Sequence, residues 1–443
     1  MTMNKANLFF VNRIIKNTIL QYIPSEIAEE KEINPARIFA YNNNEIKNKT
    51  AVYVTEREIR AKDNFALQFA IKKSKEMQMQ LRIIHPQNNY NKVFSDIKNK
   101  FIQNRLEEAK LDFEKTGLKL EIFKDDWPKL LQYLKKIDTG LLIIDFDPIV
   151  DRSFLKKAPF KVLEIDGHNI IPSRFVSDKQ EYNAATLRRK IYFNISEFLT
   201  DFAETSNIKN EADTVLEQFL SEKLPFYAQL KNDPSKNMTS NLSAYINYGF
   251  ISSQRIALKV LNAECDDINK EVFLEELIVR KELADNFCLY CRNYKTFECT
   301  PQWAQQTLKA HQHDLRSHLY TLENLEQAKT YDSLWNATQI QLMEKGKIHG
   351  YLRMYWAKKI LQWSATPDEA LKTAIYLNDK YGFDAPSANG YTGILWAIGG
   401  LHDRAFQDRM VTGKIRIMTD KSIKTKYDIQ NYINSFASPT NDF

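Results

Sequence analysis

The sequence predicts an α/β domain with a mainly parallel sheet, followed by an all-helical domain. Apolar, β-branched runs alternate with helical patterns in the first part of the chain, and long helical patterns replace this alternation after about residue 216. Glycine and proline are few, 12 and 13 among 443 residues, so helices are rarely interrupted. We predict a helical or extended N-terminal segment, an α/β domain, a connector and a helical domain, at 1–46, 47–172, 173–215 and 216–443.

The predicted strands are short apolar runs that end near glycine, proline or acidic residues. They are "AVYVT", "LRIIHP", "LKLEIF", "GLLIIDF" and "KVLEID", at 51–55, 81–86, 118–123, 140–146 and 161–166. Helical patterns separate them at 62–78, 91–115 and 126–137, which is typical of a parallel sheet with helices on both faces. Neither G-x-G-x-x-G nor a P-loop follows any of these strands, so the ordinary dinucleotide fingerprint is absent.

The N-terminal residues 5–24 carry three basic residues and no acid. An organelle presequence is one interpretation, but we expect a plain helix packed on the domain, because the continuous apolar core of a secretory signal is missing. No apolar run approaches the ~20 residues needed to cross a bilayer, so no membrane partner is expected.

The four cysteines are too few for a disulfide scaffold and indicate a reducing interior. We therefore expect an intracellular protein, cytoplasmic in a prokaryote and nuclear or organellar in a eukaryote. Cys288 and Cys291 form a lone C-x-x-C without a second pair at zinc-ribbon spacing, so we predict no metal site.

The charge pattern leaves two interpretations open. The net charge is +6, and seven basic residues against two acids lie between Arg404 and Lys426. This cluster is either a solvated face or a patch that follows phosphates. Hydrolase signatures such as G-x-S-x-G and H-E-x-x-H are absent.

The stretch "HGYLRMYWAKKILQW" (349–363) raises a question about its buried face. As a helix it places Arg353 on one stripe with Trp356, Ile360 and Trp363. A stripe that faces a core should be apolar, so Arg353 needs an acidic partner or a ligand beside it.

Two further stretches suggest ligand contacts. In "KNMTSNLSAYINYG" (236–249), hydroxyls and amides crowd before an apolar helix, as an N-cap or as a phosphate cradle. In 373–406, an irregular loop follows Asn378 and precedes the helix of Trp396. Ligands tend to bind at loops of this kind.

The long motifs "LWNATQIQLMEKGKIHGYLRMYWAKKILQW", "YLNDKYGFDAP", "NGYTGILWAIGGLHDR" and "LKNDPSKNMTSNLSAYINYGFISSQR" closely resemble class II cyclobutane pyrimidine dimer photolyases. The likeness covers about 34–434 and is strongest after 225. It implies a Rossmann-like antenna-type domain, a helical domain that binds FAD, and light-driven electron transfer from reduced FAD to a dimer flipped out of DNA. UV-damaged DNA is the implied partner, a deazaflavin is a possible antenna pigment, and we expect a monomer.

The resemblance also implies the roles of individual residues. The implied FAD contacts are Tyr227, Thr239, Ser240, Asn241, Leu242, Ser243, Arg353, Asn378 and Asp384, with Asn378 facing flavin N5. Trp335, Trp356 and Trp363 match tryptophans that relay electrons to the flavin, although plain core packing would explain any one of them.

On the DNA side, Glu276 matches a carboxyl that hydrogen-bonds the dimer, so Glu276 and Asn378 are the implied catalytic residues. The implied contacts to DNA and lesion are Lys231, Glu276, Arg280, Trp396, Arg404 and Arg416. A Glu276–Arg280 surface ion pair is the bland alternative for two of them.

Several positions depart from the family pattern. Arg280 replaces a lesion-packing tryptophan, Lys231 an arginine, and Phe406 and Phe65 two further tryptophans. Arg280 makes a cryptochrome-like photoreceptor without repair a second hypothesis, because a guanidinium cannot reproduce an indole wall. A light-independent DNA-binding protein is a third.

Overall fold

The computed structural model describes residues 18–87, 93–203 and 208–436. Most of the N-terminal stretch 5–24, for which we weighed a presequence against a helix, lies outside the described residues. The part that is described contains a 3₁₀ turn, Ile19–Tyr22.

The first half of the described chain builds a six-stranded sheet and a small two-stranded one. The strands are β1 Glu29–Glu30, β2 Ile38–Ala40, β3 Thr50–Val54, β4 Gln80–Pro86, β5 Leu120–Phe123, β6 Thr139–Asp145, β7 Lys161–Ile165 and β8 Asp201–Phe202. The large sheet has the order β2-β7-β6-β3-β4-β5. All its pairs are parallel except β2–β7, an antiparallel edge that the sequence pattern did not predict.

Helices cover both faces of the sheet, as predicted. They are α1 Phe65–Glu76, α2 Asp96–Lys115 and α3 Trp127–Lys136, and each begins at a side chain that accepts a hydrogen bond from the first turn: Asn64, Ser95 and Asp126. Successive residues of β3 point to opposite faces, so Ala51 and Tyr53 pack in one apolar cluster and Val52 and Val54 in another.

Helices dominate the described chain from residue 173 onward. They are α4 Ser173–Val176, α5 Ala184–Phe198, α6 Glu211–Gln218, α7 Tyr227–Leu230, α8 Ser243–Asn247, α9 Ser253–Leu261, α10 Asp267–Leu274, α11 Lys281–Tyr290, α12 Gln302–Ala310, α13 Leu322–Glu326, α14 Ser333–Lys345, α15 Gly350–Trp363, α16 Pro367–Tyr381, α17 Ala388–Gly399, α18 Asp420–Lys426 and α19 Gln430–Ser435. Two π-helical turns, Phe219–Lys223 and Glu275–Arg280, interrupt this series.

A buried ion pair joins the sheet to the helical part. Asp145, at the end of β6, accepts hydrogen bonds from the backbone N–H groups of Glu56, Arg57 and Glu58 at 2.8–3.0 Å, which fixes the turn after β3. Arg57 then donates to both carboxylate oxygens of Asp285 on α11, at 3.2 and 3.0 Å. Gly249 passes so close to this turn that an added Cβ would lie 2.0 Å from the carbonyl oxygen of Arg57. The two parts therefore share one buried boundary.

Two of the cysteines lie close together. The structure places the sulfur atoms of Cys291 and Cys299 side by side, whereas Cys288 is free and buried. Within the described ranges, no group of His, Cys, Asp or Glu is arranged to hold a metal ion. No helix there is long and apolar enough to cross a membrane.

Candidate cofactor cavity and DNA-binding face

The helix α15 explains the mixed stripe of the sequence. Trp356, Ile360 and Trp363 are buried in the helical core. Arg353 stands at the edge of that core and donates from Nη2 to the carboxylate of Asp384, at 3.1 and 3.3 Å. Asp384 lies on the loop between α16 and α17, which Tyr248 holds by donating its hydroxyl to the carbonyl of Ala385 at 2.9 Å. The stripe accommodates a guanidinium because a carboxylate faces it.

A polar cavity of about 870 Å³ opens beside this ion pair. Its wall contains Thr239, Asn241, Ser243 and Asp384, four of the residues predicted to contact a cofactor. Its volume falls in the usual range for small-molecule sites, about 300–1,000 Å³.

The hydroxyl-rich segment does not cap a helix. The helix α8 has only five residues, its N-cap position is Leu242, and no side chain caps it. Asn241 adopts a left-handed conformation, with φ of 61°, which asparagine tolerates well. Of the two interpretations of this segment, N-cap and phosphate cradle, the first is wrong, and Thr239, Asn241 and Ser243 lie in the cavity wall instead.

The remaining predicted cofactor contacts lie outside the cavity wall: Tyr227, Ser240, Leu242, Arg353 and Asn378. Asn378 is buried, donates to Asp379 Oδ1 at 3.1 Å, and has its amide nitrogen close to Gly390. Its contact with a flavin stays a prediction.

The three tryptophans of the predicted relay are all buried. The ring centroids of Trp335 and Trp363 are 5.6 Å apart, and Trp335 Nε1 donates to the backbone carbonyl of Trp356 at 3.0 Å. Beyond Trp363, the ring of Tyr331 lies 5.6 Å away and is 58% exposed. The structure thus brings the rings of Trp335 and Trp363 into contact, connects Trp356 to Trp335 through its backbone carbonyl, and continues the ring pair with a tyrosine that reaches solvent.

Glu276 forms a polar cluster on the π-helical turn that precedes α11. It accepts hydrogen bonds from the Tyr227 hydroxyl at 2.7 Å and from Lys231 Nζ. Lys231 connects this cluster to the cavity, because its backbone carbonyl lies 2.8 Å from Nε2 of His349 in the cavity wall. Desolvation and the neighbouring carboxylate raise the pKa of Tyr227 well above its ordinary value, so the phenol stays a donor.

Arg280 does not pair with Glu276, so the alternative of a surface ion pair between them is wrong. Its Nε lies 3.3 Å from Glu275 Oε1, and Arg188 holds the same carboxylate with two further hydrogen bonds. His402 lies nearby. Burial and the charge of Arg280 lower the pKa of His402 to about 4. The surroundings of Arg280 are therefore a neutral imidazole and a shared carboxylate.

The basic cluster 404–426 contains an exposed turn. Arg404 and Arg416 place their guanidinium carbons 5.5 and 5.7 Å from the ring of Phe406. Backbone hydrogen bonds join Phe406 to Lys414 at 2.9 Å and Gly413 to Arg409 at 2.8 Å. Trp396, on α17, is 37% exposed. Arg404 and Arg416 are thus held on a compact turn. Trp396 adds exposed aromatic surface on the helix that precedes this turn in the chain.

His311 fastens this turn to α12. Its two ring nitrogens lie 2.6 Å from Asp314 Oδ2 and 2.8 Å from Asp408 Oδ1, and Asp314 also accepts from the backbone N–H of Val411. Sequence reasoning missed His311, because its two carboxylate partners come from different segments.

Lys347 was also missed. It lines the cavity and donates to Asn241 Oδ1 at 2.8 Å. In the sequence it is one lysine in the polar run "MEKGKIHG", which is typical of a solvated turn. Only the folded structure, in which residues 239–243 lie beside Lys347, shows that this lysine faces the cavity.

A second cavity, of about 350 Å³, lies at the carboxyl edge of the sheet. Its wall contains Glu56, His85 and Asp147, from the carboxyl ends of β3, β4 and β6 and the turns that follow them, together with Tyr248 after α8 and Tyr391 on α17. Strand order reverses between β3 and β6, and open α/β sheets bind ligands at such points.

The described fold is that of photolyases and cryptochromes. A class III photolyase from Agrobacterium tumefaciens superposes with a TM-score of 0.65 at 15% identity, over 89% of this chain and 87% of the other. A cryptochrome from Synechocystis sp. PCC6803 gives 0.68 at 12% identity, over 89% of each chain.

Sequence comparison shows which family of proteins with this fold the chain belongs to. Proteins named deoxyribodipyrimidine photo-lyase are similar to this chain in Potorous tridactylus (38% identical; 75% of this chain, 71% of the relative) and Methanothermobacter thermautotrophicus (32%; 91% and 98%). No family model matches the chain. At this identity and coverage, the chain belongs to the deoxyribodipyrimidine photo-lyase family, whose enzymes carry out light-dependent repair of DNA.

Proposed function

We propose that this enzyme is a class II photolyase that splits cyclobutane pyrimidine dimers in DNA with reduced FAD and blue light. The observation that carries the proposal is the connection between the polar cavity and Glu276. His349 belongs to the cavity wall, contacts Lys231, and Lys231 holds the Glu276 carboxylate. His349 and Lys231 thus connect the proposed cofactor cavity to the Glu276 carboxylate, which is suited to a hydrogen bond with a pyrimidine.

The residues of the cavity fit a dinucleotide flavin. Hydroxyl, amide and ammonium groups at Thr239, Asn241, Ser243 and Lys347 are the donors that phosphate requires. Arg353 and Asp384 offer a charged pair beside the same space. When bound there, reduced FAD would supply the photoexcited electron that opens the cyclobutane ring.

The other residues bind and orient the lesion in this proposal. Glu276 accepts a hydrogen bond from the dimer and is oriented by Tyr227 and Lys231. Trp396 and Arg280 contact the flipped bases, and Arg404 and Arg416 bind the DNA backbone. Asn378 faces flavin N5, and the three tryptophans return the flavin to its reduced form.

A second pigment is part of the proposal. The cavity at the sheet edge is lined by apolar and aromatic side chains together with polar and charged ones such as Glu56, Arg57 and Asp147, which suits a planar ligand with polar groups. We assign it to an antenna chromophore of the deazaflavin type. An absorption spectrum of the purified protein tests this, since a second pigment adds bands to those of flavin.

One assay distinguishes repair from a photoreceptor role. The photoreceptor role is the second candidate because Arg280 replaces a tryptophan that packs against the lesion in the family. An oligonucleotide with a single thymine dimer is mixed with the reduced protein and illuminated with blue light. We expect light-dependent loss of the dimer, and about tenfold slower loss with Glu276→Gln, because a charge-assisted hydrogen bond contributes about 1.5 kcal/mol. Glu114→Gln, on the exposed surface of α2, is the matched control. A flavin-loaded protein that leaves the dimer intact would be a photoreceptor.

A further inference from the structure

Two lysines converge on the segment that contains Thr239 and Asn241. Lys347 Nζ donates to Asn241 Oδ1 at 2.8 Å and to Thr239 Oγ1 at 3.4 Å. Lys223 approaches from the π-helical turn before α7 and donates to the backbone carbonyl of Thr239 at 3.5 Å. Both ammonium groups therefore contact neutral oxygens of one short loop.

Lys347 has no carboxylate partner among the described residues. Asp384 exerts a field on it but is engaged by Arg353 at 3.1 Å. Lys347 is half-buried, and the surface that it keeps forms part of the cavity wall. Desolvation lowers the pKa of Lys347 to about 8, and Arg353 and Lys223 add to this effect.

The acidic residues of the cavity wall do not neutralise Lys347. Two wall acids are already paired, Asp384 with Arg353 and Glu211 with Arg105. Of the Lys, Arg, Asp and Glu residues in the described part of the wall, this leaves Lys236, Lys345 and Lys347 against Asp428. A partly desolvated cation beside neutral acceptors is costly unless an anion joins it.

We propose that Lys347 and Lys223 hold the diphosphate of the dinucleotide flavin, with Lys347 as the principal counter-ion. This assignment rests on the proposed function, because it takes the cavity to be the FAD site. Lysine suits this role as a point charge with three donors, and one or two of those of Lys347 are already used on Asn241 and Thr239. The same loop then holds both the lysines and the phosphates.

The assignment predicts how the affinity for FAD depends on pH. The diphosphate favours the protonated lysine, so binding takes up a proton where the free site has lost one. Because the pKa of Lys347 is about 8 in the free site, affinity for FAD should fall as the pH rises above that value. Riboflavin has no phosphate, so its affinity should not follow this change.

Calorimetric titration of the flavin-free full chain tests the proposal, with FAD, riboflavin and inorganic pyrophosphate as probes. Lys347→Met should weaken FAD binding about 100-fold and Lys223→Met about tenfold, while riboflavin affinity stays unchanged, because truncating a desolvated charge partner removes the diphosphate contact alone. Lys347→Arg should recover part of the loss. Lys372→Met, on the exposed surface of α16, is the matched control.

The pH series gives an independent readout. Between about pH 7 and about pH 9, the wild-type affinity for FAD should fall about tenfold, whereas that of Lys347→Met should stay level. FAD affinities of Lys347→Met within twofold of the wild type, or equal losses for FAD and riboflavin, would overturn the assignment. Lys223→Met and Lys347→Arg keep the test decisive if Lys347→Met does not fold.

The two proposals can fail separately. A wild-type chain that binds neither flavin would contradict the proposed function. Pyrophosphate then still shows whether the lysines hold a diphosphate: binding that Lys347→Met abolishes means that they do, whereas absent or unchanged binding overturns that role.

Discussion

Arg353 Nη2 lies 3.1 Å from Asp384 Oδ1, and this ion pair connects α15 to the loop between α16 and α17. Both side chains are mostly buried, at 22% and 15% exposure. The pair explains how a guanidinium can share a helix face with two indoles. It also sets one wall residue of the cavity in a fixed orientation.

Loss of this ion pair should destabilise the protein. Burial opposes the charge of Asp384, but Arg353, together with Lys347 and a hydrogen bond from Ser243, outweighs that effect and holds the pKa of Asp384 below its ordinary value. Asp384→Asn should lower the free energy of unfolding by about 3 kcal/mol, because an unpaired buried charge remains. The stabilisation is present above about pH 4 and is lost as the pH falls through the lowered pKa of the folded state.

Urea unfolding of the flavin-free protein at neutral and acid pH measures this difference. Asp178→Asn, on an exposed position, is the control. Equal stability of the Asp384→Asn and Asp178→Asn proteins at neutral pH would show that the pair contributes little.

The turn at Phe406 should bind DNA through its two arginines. Arg404 and Arg416 both lie near the Phe406 ring and are exposed. Each alanine substitution should weaken binding to damaged DNA and reduce the slope of log K against log salt by about 1, as for one lost phosphate contact. Fluorescence anisotropy over a salt series measures the slope. Lys136→Ala, on the sheet domain, should leave it unchanged, and an unchanged slope for both arginine variants would place them off the interface.

His311 should make this DNA binding depend on pH. Hydrogen bonding to Asp314, with the charge of Asp408, raises the pKa of His311, and Arg316 is the cation that acts on Asp314. The contacts of protonated His311 with Asp314 and Asp408 form a clamp on this turn. Because the histidine pKa is raised, the clamp stabilises the turn fully below about pH 6.5, and this contribution is lost as the pH rises through the raised value. Affinity for damaged DNA should therefore fall about threefold or more across this range.

The matched variants for this prediction are His311→Gln and His313→Gln. The first removes the histidine of the clamp and should make affinity level with pH, whereas His313 is exposed and its replacement should preserve the wild-type profile. Identical pH profiles for all three proteins would separate the clamp from DNA binding.

Local patterns predicted most of the fold, and the contacts that build the site came from distant segments. The strands, the helices on both faces of the sheet and the helix at 350–363 follow from periodicity and end signals, which act within a few residues. The edge strand β2 was missed, because a three-residue strand carries little pattern. Lys347 and His311 were missed for a different reason: each depends on partners about 100 residues away, Asn241 and Asp408. A single sequence does not show which lysine of a polar run turns inward.

The tryptophan relay predicts a separation of photoreduction from repair. Trp363 lies between Trp335 and the exposed Tyr331, with ring centroids 5.6 Å from each. Trp363→Phe keeps an aromatic ring in the core but removes the readily oxidised indole, so light-driven reduction of bound oxidised flavin should be lost. Repair with chemically reduced flavin should continue. Trp303→Phe, outside the trio, is the control, and normal photoreduction in Trp363→Phe would assign these indoles to packing.

Arg280 should determine how well the enzyme distinguishes damaged from undamaged DNA. Its partner Glu275 is also held by Arg188, with Arg188 Nε 3.0 Å from Glu275 Oε2, so replacing Arg280 does not leave that carboxylate unpaired. Arg280→Trp should therefore fold normally and offer an indole to the flipped bases. Stacking on an aromatic side chain is worth about 1–3 kcal/mol per base, so we expect the ratio of affinities for damaged and undamaged DNA to rise about tenfold.

A second variant separates the ring from the charge. Arg280→Leu removes the cation without adding an aromatic surface, so it should reduce the salt slope by about 1 without raising the ratio. Arg280→Trp should show both effects, because it loses the same cation and gains the stacking surface. If both variants show the same ratio, the indole at this position does not contact the lesion. If neither changes the ratio or the slope, Arg280 lies outside the DNA interface and acts only on Glu275.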